Sequence, residues 1–159
     1  MVPRPGWYEN GFKGFMKRIG PVILSVFCLL LLLNCSPATI SVHRIAREWM
    51  LISFKDYTKE NLMRNQARID LTAPAENGKI KANVFVGCNH LFFKAVFKEN
   101  GTTTFSDIGS TLMACPEMKL EDDFSKSLKQ MQEYRLEGHF LILNDHQGNS
   151  MKFIASDWD

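Results

Sequence analysis

The sequence predicts an α+β domain that is mainly β: a small antiparallel sheet of about six to eight strands, curled or closed into a cracked barrel, with one helix. Two observations carry this expectation. From residue 49 onward, apolar residues alternate with polar ones at period two between turn-forming clusters, as in strands with one buried face. The period lengthens once, after Cys115, to helical spacing and then reverts. A sheet of this size has edges to protect, and curling limits them.

Taken in order, Trp49, Leu51 and Ser53 share one face of a first strand, and Ala67, Ile69 and Leu71 one face of a second. Pro74–Gly78 is a turn by composition, with Asn77-Gly78 accepting positive φ at little cost. Lys79–Val86 is the next strand, with Ile80, Ala82, Val84 and Val86 on one side, followed by Phe92–Phe97. Glu99–Gly101 turns the chain into the β-branched run Thr102–Ile108. The helix is expected to start at Pro116, with Glu117, Glu121, Asp122 and Asp123 near the positive end of its dipole. Leu120, Phe124, Leu128 and Met131 form its apolar stripe, and Asp122 and Lys126 its i,i+4 pair. After Gly138, Phe140–Leu143 and Ser150–Ala155 complete the sheet around a loop at 144–149.

The N-terminus sets the compartment. Met16, Lys17 and Arg18 precede an apolar run from Val22 to Leu33 that ends at Asn34-Cys35. That run is shorter than the roughly 20 residues a bilayer span needs, and suits the core of a signal peptide. Leu32-Leu33-Asn34-Cys35 resembles a bacterial lipobox, although Asn34 departs from the usual small residue, so Cys35 is expected to be acylated. Ser36 in the next position points to the outer membrane. Residues 1–34 are read as leader: 1–15 follow from a start assigned too early, and 16–34 are the lipoprotein signal peptide. Residues 35–46 are the lipidated tether and 47–159 the domain. The expected location is the bacterial cell envelope, lipid-anchored, at the outer membrane facing the periplasm.

This division changes the charge argument. The whole chain carries 19 Lys+Arg against 17 Asp+Glu, a net of +2. Residues 1–35 hold Arg4, Lys13, Lys17 and Arg18 but only Glu9, which leaves 15 bases and 16 acids beyond them. No basic patch survives to drive nucleic-acid binding.

Of the four cysteines, Cys28 leaves with the leader and Cys35 takes the lipid. Cys88 and Cys115 remain, in an oxidising compartment that favours a bridge between them. Two unpaired buried thiols are the alternative. A zinc site at Cys88, His90 and Cys115 lacks a fourth ligand at suitable spacing. A Cys88 nucleophile with His90 as base lacks an orienting third group. His43, His139 and His146 are isolated, and no phosphate loop or nucleophile elbow occurs. No catalytic, metal or cofactor site is expected.

The chain resembles the META domain family, the HslJ-like group. Trp49-Met50-Leu51 matches the family's opening strand. Gly87-Cys88-Asn89 and the Ser110–Pro116 stretch, with Thr111, Met113, Cys115 and Pro116, match its most specific motifs. Glu121, Phe124, Leu128 and Tyr134 fall at its helix, and Gly138, Leu141, Leu143, Gly148 and Phe153 fit its closing hairpin. One departure is Lys94, near a position where the family has glycine in a tight turn. The resemblance implies a small β-rich envelope or secreted protein, in some members linked to heat stress or antibiotic tolerance, with no shared enzymatic activity. A protozoan META protein is similar in fold to secretin pilot lipoproteins, whose cracked barrel holds a lipid-sized groove.

Three functions follow as expectations. The first is a non-catalytic envelope lipoprotein whose β-domain serves as a binding or scaffold module in envelope or heat-stress tolerance, with the membrane and an unknown envelope protein as partners. The second is a carrier of lipid or another apolar ligand, or a pilotin-like chaperone, using a groove lined by Phe92, Phe93, Phe97 and Phe105. The third, an enzyme, has least support. A cavity above about 300 Å³ lined by those rings would favour the carrier, and a filled core with an exposed apolar patch would favour a protein partner.

Overall fold

The computed structural model describes residues 44–158. The expected leader, the expected acylation site Cys35 and the expected tether as far as His43, together with Asp159, lie outside the described residues. The folded part reaches further back than the expected boundary at 47. Ile45 is wholly buried, and its carbonyl accepts a 2.9 Å hydrogen bond from Trp49 Nε1.

The strands are β1 (Glu48–Phe54), β2 (Arg68–Asp70), β3 (Ile80–Phe85), β4 (His90–Phe97), β5 (Thr103–Ser110), β6 (Glu133–Glu137), β7 (Phe140–Asn144) and β8 (Ser150–Ala155). They form one curled antiparallel sheet in the order β5-β4-β3-β2-β1-β8-β7-β6. The two outer strands approach each other at one end only. Thr102 bridges Glu133, Thr103 N–H donates to the Gln132 carbonyl at 2.8 Å, and Tyr134 N–H donates to the Gly101 carbonyl at 2.8 Å. This is a cracked barrel, as expected.

Alternation places one face of each strand in a single core. Trp49, Leu51, Ile69, Val84, Leu91, Phe93, Leu141, Leu143, Met151 and Phe153 all lie within it. In β1 the expected set shifts. A bulge between Leu51 and Ser53 inserts one residue opposite β8, so Phe54 turns inward and Ser53 outward. The Asn77-Gly78 turn forms as expected, with φ of +52° and +74° and reciprocal Glu76–Lys79 backbone bonds.

Two helices are present among the described residues, against the one expected. The unexpected α1 (Lys59–Arg64) is a six-residue helix capped by the Thr58 hydroxyl, which accepts from Asn61 N–H at 3.2 Å. It buries Leu62 alone, so it writes no apolar stripe into the sequence. The expected helix is α2 (Lys119–Leu128), which begins after Pro116 rather than at it. Leu120, Phe124, Leu128 and Met131 are buried as the stripe requires, Met131 lying just beyond the last turn. Its i,i+4 pair is Lys119–Asp123 at 2.7 Å, not Asp122–Lys126. β6 is also additional; its alternation over Glu133–Glu137 is short and carries three charged residues.

The aromatic residues proposed to line a groove divide between two faces. Phe93, Phe97, Phe105 and Tyr134 meet edge to face, with centroids 5.0–6.1 Å apart, and belong to the core or pack on it. Phe92 points outward and is 50% exposed.

Candidate functional site

The site is built where β3 turns into β4. Val86 ends the buried run, and Gly87 turns the chain at φ +114°. The positive φ favours glycine at 87, and a Cβ there would lie 2.6 Å from Asn65 Oδ1, just after α1, so the Asn65 side chain would have to move. Cys88 and Asn89 follow, both buried.

Asn89 organises the surroundings. Its Oδ1 accepts from the Thr111 hydroxyl and from Met113 N–H, each at 2.8 Å, and its Nδ2 donates to the Met113 carbonyl at 3.3 Å. Its own backbone N–H donates to Glu121 Oε2 at 2.8 Å. The Thr111 hydroxyl also accepts from His90 N–H at 3.1 Å. Cys88 is joined to Cys115 in a disulfide, with Cα atoms 6.4 Å apart, inside the range a bridge requires. Asn89 therefore holds the start of the Thr111–Pro116 loop, the disulfide its end, and Glu121 ties the turn to the first turn of α2. Glu121 is buried, so its role is internal, unlike that of the exposed Asp122.

These contacts bring together Gly87, Cys88, Asn89, Thr111, Met113, Cys115 and Glu121. Pro116 borders the same region. Trp49 sits apart, in the core beside Ile45. Because the Cys88 sulfur is bonded to Cys115, no thiolate faces His90, whose exposed ring packs on Phe85 at 5.2 Å. Among the described residues, no group of three or more His, Cys, Asp or Glu is arranged to hold a metal.

The pinned loop presents its apolar side chains outward. Leu112 is 94% exposed and Met113 51%. Beside it is a depression of about 510 Å³ lined by Tyr57, Asn61, Asn65 and Pro116–Leu120. Its rim is charged. Asp123 accepts from Tyr57 Oη and Lys119 Nζ, each at 2.7 Å, with Lys55 Nζ at 3.7 Å. The Lys119 bond, followed by that from Tyr57, lowers the Asp123 carboxyl to about 2. Burial first, then the Asp123 contact, raises the Tyr57 hydroxyl.

A second depression, of about 540 Å³, lies outside β3 and β4 among Ala73, Lys81, Asn83, Phe92, Lys94 and Asp107. The Phe92 ring covers Gly109, whose Cβ, if present, would come within 2.5 Å of it. Lys94 is not in a turn; it lies inside β4 and pairs with Asp107 at 2.7 Å. Asp107 stands at φ +55°, where β5 shifts register. The substitution of lysine for glycine thus accompanies an unbroken strand.

A META domain model matches residues 43–158. The chain belongs to the META domain family. Among curated proteins nothing matches it significantly. The NMR structure of a Burkholderia xenovorans protein is similar with a TM-score of 0.58 at 17% identity, over 77% of this chain and 92% of that one. A DUF4847-family protein from Bacteroides vulgatus gives 0.51 at 11% identity, over 76% of this chain and 100% of the other. At these identities the likeness concerns the fold.

Proposed function

We propose that this META domain is a non-catalytic, lipid-anchored envelope module that presents its Thr111–Pro116 loop to a protein partner, in envelope or heat-stress tolerance. The observation that carries the reading is the exposure of Leu112 and Met113 on a loop fastened at both ends. Burying such a side chain in a partner contributes roughly 1.5–3 kcal/mol. A loop already held in shape loses little further entropy on binding. The polar motif residues spend their hydrogen bonds on one another, which supports a positioning rather than a chemical role.

A photo-cross-linking residue at Leu112, in cells, is expected to capture one envelope protein. Substituting Cys88 and Cys115 by Ser should weaken that capture, because the loop loses its second fastening. Equal capture from Leu112 and from exposed Ser150 on β8 would remove the reading.

The Phe92 depression favours a second reading, the carrier of an apolar ligand. It exceeds the ~300 Å³ at which small-molecule sites begin, and Phe92 and Phe93 border it, but Phe97 and Phe105 do not. An environment-sensitive apolar dye whose emission is lost on Phe92→Ala, with Leu112→Asp having no effect, would favour the carrier over the partner loop.

A further inference from the structure

We infer that the outer face of β1, β8 and β7, with Trp158, rests on the lipid surface that holds the acyl anchor, and so turns the Thr111–Pro116 loop away from the membrane. This rests on the reading of Cys35 as the acylated residue.

Strand alternation turns Trp49, Leu51, Leu141, Phe153 and Ala155 into the core, and so turns their neighbours out. Met50 pairs with Ile154, and Ile154 with Phe140, in one row across three strands. Each of the three is only half-buried. Trp158 extends the row: it is 46% exposed, stacks on His139 at 4.3 Å and meets Phe140 edge to face at 6.4 Å. Lys152 Nζ lies 4.1 Å from the Phe140 centroid. Tryptophan beside an apolar surface, with a long cation that can extend to headgroups, is the composition found at membrane interfaces.

The occupant follows from where the chain enters. Arg47 pairs with Asp157 at 3.7 Å, and Ser156 N–H donates to the Glu48 carbonyl at 3.0 Å. The entry of the domain therefore lies beside the apolar row. Cys35 precedes Arg44 by nine residues, so the chain from the acylated residue spans at most about 32 Å to Arg44 even when fully extended. The opposite end of β1 leads to α1 and Asn65, which touches Gly87 of the candidate site. An anchor at the Glu48 end thus presents the row to lipid and the pinned loop to the periplasm. Arg47, Arg68 and Arg135 each have a carboxylate partner, so apolar contact rather than net charge carries the association.

The test uses the acylated protein produced from the full chain, reconstituted in phosphatidylcholine vesicles with and without dibrominated acyl chains. Trp7 leaves with the leader, Trp49 is buried in the core, and Trp158 is the exposed reporter. Bromolipid is expected to quench the emission that Trp158→Phe removes, and to leave the Trp49 emission unchanged. Ile154→Glu, with an unchanged melting temperature, should abolish that quenching. Acyl chains found by mass spectrometry together with unquenched Trp158 would overturn the orientation while the anchor stood. Absence of acyl chains would overturn both. A photo-cross-linker at Phe140 that joins a protein instead of lipid would assign this face to a partner and likewise overturn the proposal.

Discussion

The stretch from Thr111 to Leu128 is attached to the sheet twice, by different physics. Helix α2 docks through Leu120, Phe124 and Leu128, which add apolar area to the core. The loop before it docks through Asn89 and the Cys88–Cys115 bond, with Leu112 and Met113 facing solvent. Apolar docking is non-directional and tolerates small shifts, so it confers stability. Hydrogen bonds contribute less net energy each but set direction, and the disulfide fixes the place where the loop ends. One half of the segment is a stabilising element, and the other is a positioned surface.

The largest expected effect is on the apolar side. Phe124 is fully buried and meets Phe54 edge to face at 6.2 Å. Phe124→Ala should destabilise by about 3–5 kcal/mol in chemical denaturation. The exposed Lys126→Ala should change stability by less than about 0.5 kcal/mol. Equal losses from the two would mean that α2 is not docked through this face.

The disulfide comes next. Its sequence separation of 27 residues corresponds to about 3.5 kcal/mol in the chain-entropy account, less any strain, so reduction should lower stability by about 2–4 kcal/mol. The oxidised protein should show no titratable thiol from Cys88 or Cys115 in denaturant. Two free thiols in the protein as isolated from cells would mean that the bridge does not form there.

Asn89→Ala should cost about 2–3 kcal/mol, since it removes three side-chain bonds and leaves Met113 N–H to find water. The comparison is sharpened by what accompanies the loss. Amide exchange at Met113 should accelerate far more than exchange within α2. Uniform acceleration across both would merge loop and helix into one cooperative unit.

The same contrast explains what was legible in the sequence. The strands and the α2 stripe are periodic, and Trp49, Val84 and Phe124 announce their burial by spacing alone. Cys88 and Cys115 could be paired by elimination. The partners of Asn89 stand 22, 24 and 32 residues away, and no periodicity relates a turn asparagine to a threonine hydroxyl and a glutamate. Resemblance to a family drew attention to those residues but not to their bonds. Glu121 shows the limit: beside Asp122 and Asp123 it reads as one of several helix-start acids, and only the fold buries it against Asn89 N–H. The short α1 escaped because a single buried residue, Leu62, makes no pattern; the Thr58 cap was its only local sign. Phe92 and Phe93 are adjacent aromatics whose division between surface and core follows from register.

The smallest expected effect lies between the two docking modes, on the rim where α2 meets Tyr57. The folded-state value of Asp123, about 2, lies below its ordinary 3.8, so the unfolded chain binds the proton more readily. Its contribution is therefore complete above about pH 4 and fades as the pH falls through 2. The side chain is 22% exposed and Lys119 more so, and solvent and salt weaken such a pair. The melting temperature of the wild type should thus fall between pH 5 and 2 slightly more than that of Asp123→Asn, and the difference should shrink in high salt. Tyr57→Phe, which removes one of the two close donors, should raise the midpoint of the Asp123 titration toward the ordinary range in NMR. A midpoint unmoved by both Tyr57→Phe and Lys119→Ala would mean that neither donor holds the carboxylate, and that the rim beside the loop is a solvated surface instead of a fixed one.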